Sequence, residues 1–367
     1  MIKGRETALE IDLQALSYNI NLIKSKLSEK TKFMAVIKAY AYGSDPVLLA
    51  SHLEKQGVDF FAVAYTHEGV ALRNAGIRLP ILVLHPQAAD LAIIIDRCLT
   101  PSLYNFRIFT KFLAVAQEKE QQHYPIHLKF NTGLNRLGFE LGDLDKLCVL
   151  YKAQTCLKLQ GVFSHLAASE DLNEAEFTNG QIEKFTRISA ELEAKTGVQP
   201  IKHLLNSSGV FNYPEAQFDM VRCGISLYGF GNDPLYTQLL KPVLRLTTVI
   251  SQIHEIEKGE SVGYNRSFTA TKSLKTATLP IGHADGIHRA FGGRKGFVWI
   301  QGKKAEIVGN VCMDMIMVDI TGISCSEGDE VVVFENQTQV NLLAQQIDSI
   351  SYELITAISQ RIKRILK

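Results

Sequence analysis

The sequence has no apolar run approaching the roughly 18–20 residues that a membrane-spanning helix needs; the stretch from Leu91 to Ile95 is far too short. It has no block of basic or acidic residues, and its net charge is +1. Nothing in the charge pattern therefore points to nucleic acid or to a membrane surface as a partner. Its six cysteines, at positions 98, 148, 156, 223, 312 and 325, form no C-x-x-C pair and no regular spacing. In a chain of this size they read as reduced thiols. The second-domain histidines His283 and His288 are spaced unlike a metal site, so no metal is expected. There is no internal repeat and no low-complexity linker. The opening Met1-Ile2-Lys3-Gly4-Arg5-Glu6 lacks the apolar core of a signal peptide. The expected location is the cytoplasm. What remains is ordinary globular composition, 46% hydrophobic and 21% charged over 367 residues, enough for two or three domains.

The chain begins with an amphipathic helix capped by Asp12, with Leu13, Leu16, Ile20, Ile23 and Leu27 at helical spacing. An alternation then sets in. Apolar runs of strand length appear at 33–37, 59–64, 81–85, 99–104, 126–130, 159–165, 201–206 and 220–222. Helix-length stretches lie between them, such as Phe106–Lys119 and Phe177–Lys195, the latter stopped by Gly197. Eight β/α units in succession predict a (β/α)8 TIM-type barrel over residues 1–236. After about Tyr236 the segments become short, β-rich and separated by glycine turns. Residues 237–367 are expected to form a mainly β C-terminal domain, finished by helices at Val340–Ile347 and Ser351–Ile365.

The polar residues that close the barrel strands matter most, because such barrels build their sites at the carboxyl ends of the strands. The first strand ends in Lys38 and the third in His85. The fifth ends in Lys129, with Asn131 and Arg136 just beyond. The sixth closes in Ser164-His165, the seventh in Asn206-Ser207-Ser208-Gly209, and the eighth in Arg222-Cys223-Gly224. A desolvated lysine loses about three pKa units, roughly 4 kcal/mol of preference for its charged form. Its amine can then attack a carbonyl and hold it as a Schiff base. The small residues Ser207-Ser208-Gly209 and Gly224-Ile225-Ser226 offer amides and hydroxyls for a phosphate. A phosphate there, opposite a reactive lysine, suggests pyridoxal phosphate. A snorkelling lysine and two plain Gly/Ser turns would account for the same residues without a cofactor. In the second domain three polar knots stand out: Gly263-Tyr264-Asn265, 282–286 and Cys312-Met313-Asp314-Met315.

Taken together, these residues resemble the alanine racemases. The resemblance runs through 35–43, 129–139, His165, Asn206-Ser207, 222–225, 227–229, 262–264, 284–286, Met313-Asp314 and 351–353, in order over nearly the whole chain. It implies pyridoxal 5'-phosphate held as an internal aldimine on Lys38, which is the acid or base on one face, with Tyr264 acting on the other. It implies that Tyr42, Asn206, Ser207, Gly224, Ile225 and Tyr352 bind the cofactor and that Arg222 meets its pyridine nitrogen. Arg136 and the backbone of Met313 would bind the carboxylate of a small amino-acid substrate. The lysine matching Lys129 orients that arginine and in many relatives is carbamylated. The family is a head-to-tail homodimer, in which the Tyr264 and Met313 region of one chain completes the site of the other. D-alanine for peptidoglycan is the implied role.

The chemistry asks for these residue types independently. Racemisation removes a Cα proton from one face and returns one to the other, and two bases, one per face, need not move. Lysine and tyrosine are weak acids whose pKa values can be drawn toward neutrality; His165 and Arg222 are expected to help the tyrosine through a hydrogen-bond chain. An arginine at the pyridine nitrogen can only donate, which argues against a barrel decarboxylase, where a carboxylate is expected. A non-catalytic pyridoxal-phosphate carrier would lack the β domain with Tyr264 and Met313. A preference for serine or another small amino acid stays open, since His283, Asn310 and Asn131 depart from the family pattern, as does the ending 361–366.

Overall fold

The computed structural model describes residues 6–367. The described chain divides into two compact units, one containing residues 17–41 and 46–240, the other 6–16, 42–45 and 241–367. Among the described residues, no helix is long and apolar enough to cross a membrane.

The chain opens with a short strand, β1 (Ala8–Ile11). The barrel unit then contributes β2 (Lys32–Val36), β3 (Phe60–Val63), β4 (Ile81–Val83), β5 (Thr100–Leu103), β6 (Tyr124–Lys129), β7 (Leu157–Phe163), β8 (Ile201–His203) and β9 (Met220–Cys223). All eight pair in parallel, and β2 closes on β9 with Lys32 opposite Met220 and Ala35 opposite Cys223. The barrel strands are largely buried: Phe33, Met34, Phe61, Leu82 and Leu128 are at most 1% exposed. Burying one such side chain stabilises by about 1.5–3 kcal/mol. The helices between strands follow the expected pattern. Asp12 accepts from the Ala15 N–H at 2.8 Å, Asn105 caps Phe106–Glu118, and Gly197, at φ 73°, ends Ala175–Thr196.

The second unit carries β10 (Leu244–Val249), β11 (Gln252–Ile256), β12 (Ser261–Val262), β13 (Phe268–Thr269), β14 (Leu274–Leu279), β15 (Phe297–Ile300), β16 (Lys303–Val308), β17 (Ile316–Asp319), β18 (Glu330–Phe334) and β19 (Lys363–Leu366). Nine strands form one sheet in the order β11-β14-β17-β16-β15-β18-β10-β1-β19, and β12 and β13 form a separate ribbon. The expected single segment 243–256 is two strands, because Ile250 and Ser251 turn aside to bond Asp329 and Thr278.

Two terminal segments depart from the sequence expectation. Ser351–Ile365 was expected to be one helix. The helix stops at Thr356, and Lys363–Leu366 is instead a strand, parallel to β1 with Ala8 opposite Lys363 and Ile11 opposite Leu366. The physical reason is long-range: the Arg364 guanidinium bonds the carbonyls of Gly43, Ser44, Ile358, Ser359 and Ile362 and holds the end extended. Residues 1–236 were expected in the barrel. Strand β1 instead pairs with β10 and β19, so the N-terminal strand goes with the β-rich unit.

One cation ties this sheet across three strands. Arg245 on β10 reaches Glu10 on β1 at 3.1 Å, Glu330 on β18 at 2.5 Å and Glu335 at 3.4 Å. Arg245 is 20% exposed and Glu10 and Glu330 are 21% exposed, so solvent screens the cluster only in part. Arg245→Met leaves these carboxylates facing one another; we expect a loss of about 1–2 kcal/mol in urea unfolding, reduced at high salt. An unchanged midpoint would mean that the cluster contributes nothing.

Candidate active site

The barrel unit assembles its reactive groups at the carboxyl ends of its strands. Lys38 lies two residues beyond β2, after Ile37, whose N–H extends the parallel pairing by donating to Ala62. The backbone then does something unusual for L-residues. Ala39, Tyr40, Ala41 and Tyr42 have φ of 53°, 55°, 49° and 54°, and Gly43 follows at 81°: a left-handed helical turn. Each non-glycine residue in that conformation costs roughly 1–2 kcal/mol, so the four together cost roughly 4–8 kcal/mol. Strain of this kind persists only where the surroundings over-determine it. Gly43 is one such constraint, because a Cβ there would lie 1.9 Å from the Ile355 carbonyl oxygen.

Lys38 is partly buried, and burial lowers its pKa first, with Arg136 adding to the effect and Glu68 opposing it. Lys129, the last residue of β6, is 6% exposed. Burial, then Arg136, Arg222 and Lys38, bring its pKa down to about 8. The loop that carries Arg136 is shaped by Asn131. Its side chain accepts from the Gly133 and Asn135 N–H groups at 3.2 and 3.0 Å and donates to Glu140 at 2.6 Å. Gly138 closes the same loop, since a Cβ there would meet the Asn131 nitrogen at 2.4 Å.

Arg222, on β9 and 4% exposed, is the most constrained side chain of the site. Its Nη1 donates to His203 Nδ1 at 3.0 Å and to the His203 carbonyl at 2.9 Å. Its Nη2 donates to the Ser164 carbonyl at 2.7 Å, and to His165 Nδ1 and the Leu204 carbonyl at 3.0 Å. A guanidinium has no acceptor, so Nδ1 of both histidines must be unprotonated and Nε2 must carry the hydrogen. His203 Nε2 then donates to His127 Nδ1, 2.9 Å away. Burial first, and the Arg222 charge second, hold His165 and His203 well below the usual histidine range, so both stay neutral. Burial lowers the Arg222 guanidinium to about 9, still cationic at neutral pH. Among the described residues its Nε–H takes no acceptor, which leaves one donor unspent.

The small residues beyond the ends of β8 and β9 also come together. The Ser207 hydroxyl accepts from the Gly224 N–H at 3.1 Å, the Ser226 N–H at 3.4 Å and the Ser226 hydroxyl at 3.0 Å. Gly224, Ile225 and Ser226 are all buried. Amides and hydroxyls gathered in this way are the donor types that a phosphate takes. The Asn206 side chain works beneath this point, accepting from the Gly209 N–H at 2.9 Å and the Ser169 hydroxyl at 2.8 Å.

The β-rich unit holds the remaining sequence candidates as two pairs. Tyr42 and Tyr352 lie with ring centroids 6.3 Å apart. Tyr264 and Met313 line one open cavity of about 640 Å³, together with His254, Val262, Cys312 and Met317. Tyr264 is 73% exposed and Met313 60%. Tyr264 stands on a turn in which Gly263, Asn265 and Arg266 all have positive φ, and Asn310 donates to its carbonyl at 3.3 Å. The Met313 carbonyl accepts from the Ala284 N–H at 3.0 Å, while exposed His283 donates its own N–H to Cys312. Arg361 forks onto Asp285 at 2.7 and 3.0 Å and reaches Asp314 at 2.6 Å, fixing the Met313 loop from behind.

Glu68, His203 and His127 were not singled out from the sequence, and Arg361 only as part of the ending that departs from the family pattern. Of these His127 and His203 carried a weak signal, lying within the expected strands 126–130 and 201–206. The others act through contacts that no local pattern encodes.

Residues 11–232 match the family described as alanine racemase, N-terminal domain, and residues 243–366 match alanine racemase, C-terminal domain. The chain is 37% identical over 377 residues to an alanine racemase of Treponema denticola, covering 98% of each chain. It is 34% identical over 370 residues to alanine racemase 1 of Caldanaerobacter subterraneus, covering 98% of this chain and 95% of that one. Among solved structures, an alanine racemase of Clostridium difficile superposes with a TM-score of 0.92 at 34% identity, covering 99% of this chain and 96% of that one. One from Bartonella henselae, with covalently bound pyridoxal phosphate, gives 0.89 at 28% identity, covering 99% and 100%.

Proposed function

The chain belongs to the alanine racemase family, and on that premise we propose that it interconverts L- and D-alanine by a two-base reaction. Lys38 serves one face of the substrate and Tyr264 of the partner subunit serves the other. The observation that carries this reading is Arg222, a buried guanidinium with its Nε–H left over beside neutral His165.

The cofactor follows from the family and from the relative with covalently bound pyridoxal phosphate. When bound, pyridoxal phosphate supplies an electron-withdrawing ring that makes the substrate Cα–H acidic. Lys38 holds the cofactor and moves a proton at Cα. Arg222 donates Nε–H to the ring nitrogen and, unable to give that proton up, keeps the nitrogen unprotonated, which limits transamination. Tyr42, Ser207, Gly224, Ile225 and Tyr352 take the phosphate, with Asn206 holding Ser207 in place. Arg136 and the Met313 N–H bind the substrate carboxylate.

Lys129 sits among Arg136, Arg222 and Lys38. Three cations disfavour a fourth and favour an anion, and an amine with a pKa near 8 is neutral in about one molecule in ten at pH 7. We infer that Lys129 carries a carbamate that orients Arg136. The exposure of Tyr264 and Met313 supports a homodimer in which they complete the partner's site. The product, on this reading, is D-alanine for peptidoglycan, made in the cytoplasm.

The direct test is to incubate the purified protein with L-alanine and assay D-alanine. D-alanine formed faster than D-serine from L-serine supports the reading. No D-alanine would overturn it, and release of CO₂ would favour a decarboxylase.

A further inference from the structure

We propose that Glu68 is a positioning residue of this site: its carboxylate ties the N–H that opens the left-handed turn to the neighbouring strand end, fixing the direction in which Lys38 leaves the barrel. The inference rests on the reading of Lys38 as the cofactor-bearing lysine.

Glu68 lies in the first turn of the helix Thr66–Asn74. Its Oε2 accepts from the Ala64 and Tyr65 N–H groups at 2.7 and 3.0 Å, as an acidic residue capping its own helix would. Capping does not account for the third bond. Oε1 accepts from the Ala39 N–H at 2.6 Å, 29 residues away in sequence. Ala39 is exposed, so water could satisfy its N–H; the bond is not forced by burial. What it does is anchor the first of four consecutive non-glycine residues at positive φ, beside the one side chain whose direction matters most. Arg364 holds the far end of the turn, through the Gly43 and Ser44 carbonyls. The turn is thus clamped at both ends by charged side chains acting on backbone.

The same carboxylate also acts by charge. Facing Lys38 are Glu68, Arg136, Lys129 and His165, of which only Glu68 is anionic before any carbamate forms on Lys129. Removing that anion makes a proton on the Lys38 nitrogen harder to hold, so the nitrogen should titrate at lower pH. Glu68→Gln is the discriminating change. The amide oxygen can keep the Ala64 and Tyr65 bonds, but its NH₂ then faces the Ala39 N–H, donor against donor. Glu68→Asp keeps the charge and shortens the reach by one methylene.

The experiment uses the cofactor-loaded protein and reads three quantities: fragment-resolved hydrogen exchange at Ala39, the pH midpoint of the bound cofactor's visible band, and kcat/KM for alanine. In E68Q, Ala39 should exchange about tenfold faster, the midpoint should fall by about one pH unit, and kcat/KM should fall about tenfold. In E68D, Ala39 should also exchange faster while the midpoint stays near wild type. Unchanged Ala39 exchange in E68Q would overturn the positioning role. If E68Q does not fold, unchanged exchange in E68D overturns it equally. A wild-type protein that does not racemise alanine would overturn the functional reading instead, and the Ala39 exchange would still decide the clamp.

Discussion

Lys38→Ala should abolish racemisation, lowering kcat by about 10⁴-fold or more, while leaving the barrel folded. The reasoning starts from charge. The Lys38 ammonium is held below its ordinary pKa by burial and then by Arg136. A lysine whose folded-state pKa lies below its unfolded value costs stability wherever the unfolded chain holds it charged. That cost is full below the folded pKa and disappears as pH rises through the unfolded value near 10.4. The alanine variant should therefore be at least as stable as the cofactor-free wild type at neutral pH, with its advantage lost in strong base. Thermal unfolding across pH checks this. Lys38 is also among the cations that lower Lys129, so the Lys129 amine, before it takes up a carbamate, should titrate at higher pH in the variant. Borohydride reduction of wild type should fix the cofactor on Lys38 and nowhere else. Cofactor recovered on another lysine, or a variant retaining substantial activity, would remove the basis of the assignment.

Tyr264→Phe should be nearly as damaging to turnover, by about 10²–10⁴-fold, and should leave cofactor content intact. The phenol is exposed and stands on a turn rather than in a core, so loss of one hydroxyl costs little stability. Its effect should be lopsided. Proton exchange between solvent and the substrate Cα should survive on the face served by Lys38 and collapse on the other. Measuring solvent-deuterium incorporation separately from L- and D-alanine reads this directly. Equal loss from both enantiomers, or no loss, would remove the division of labour between the two residues.

The barrel was legible because its strands are brief apolar runs ended by polar residues and separated by helices with clear faces. Phe106–Glu118 and Ala175–Thr196 carry that signal locally. The last strand was not legible. Arg361 to Leu366 suits a helix as well as a strand, and only pairing with Ala8–Ile11, at the opposite end of the chain, decides between them. The left-handed turn was hidden for a related reason. Nothing in Ala39-Tyr40-Ala41-Tyr42 asks for positive φ, and only Gly43 hints at it. At the candidate site, the barrel's polar residues could be read from strand ends. The residues that hold them could not: Glu68 passes for a helix cap, and Arg361 for a surface cation, until Ala39, Asp285 and Asp314 are seen beside them.

The claim on which all of this turns is that each site takes its lysine from one subunit and its tyrosine from the other. Mixing the Lys38→Ala and Tyr264→Phe proteins under conditions that exchange subunits tests it. Each mixed dimer then has one site with both residues and one with neither, so statistical exchange should restore about a quarter of wild-type activity. Two inactive proteins that stay inactive after proven exchange would contradict the shared site.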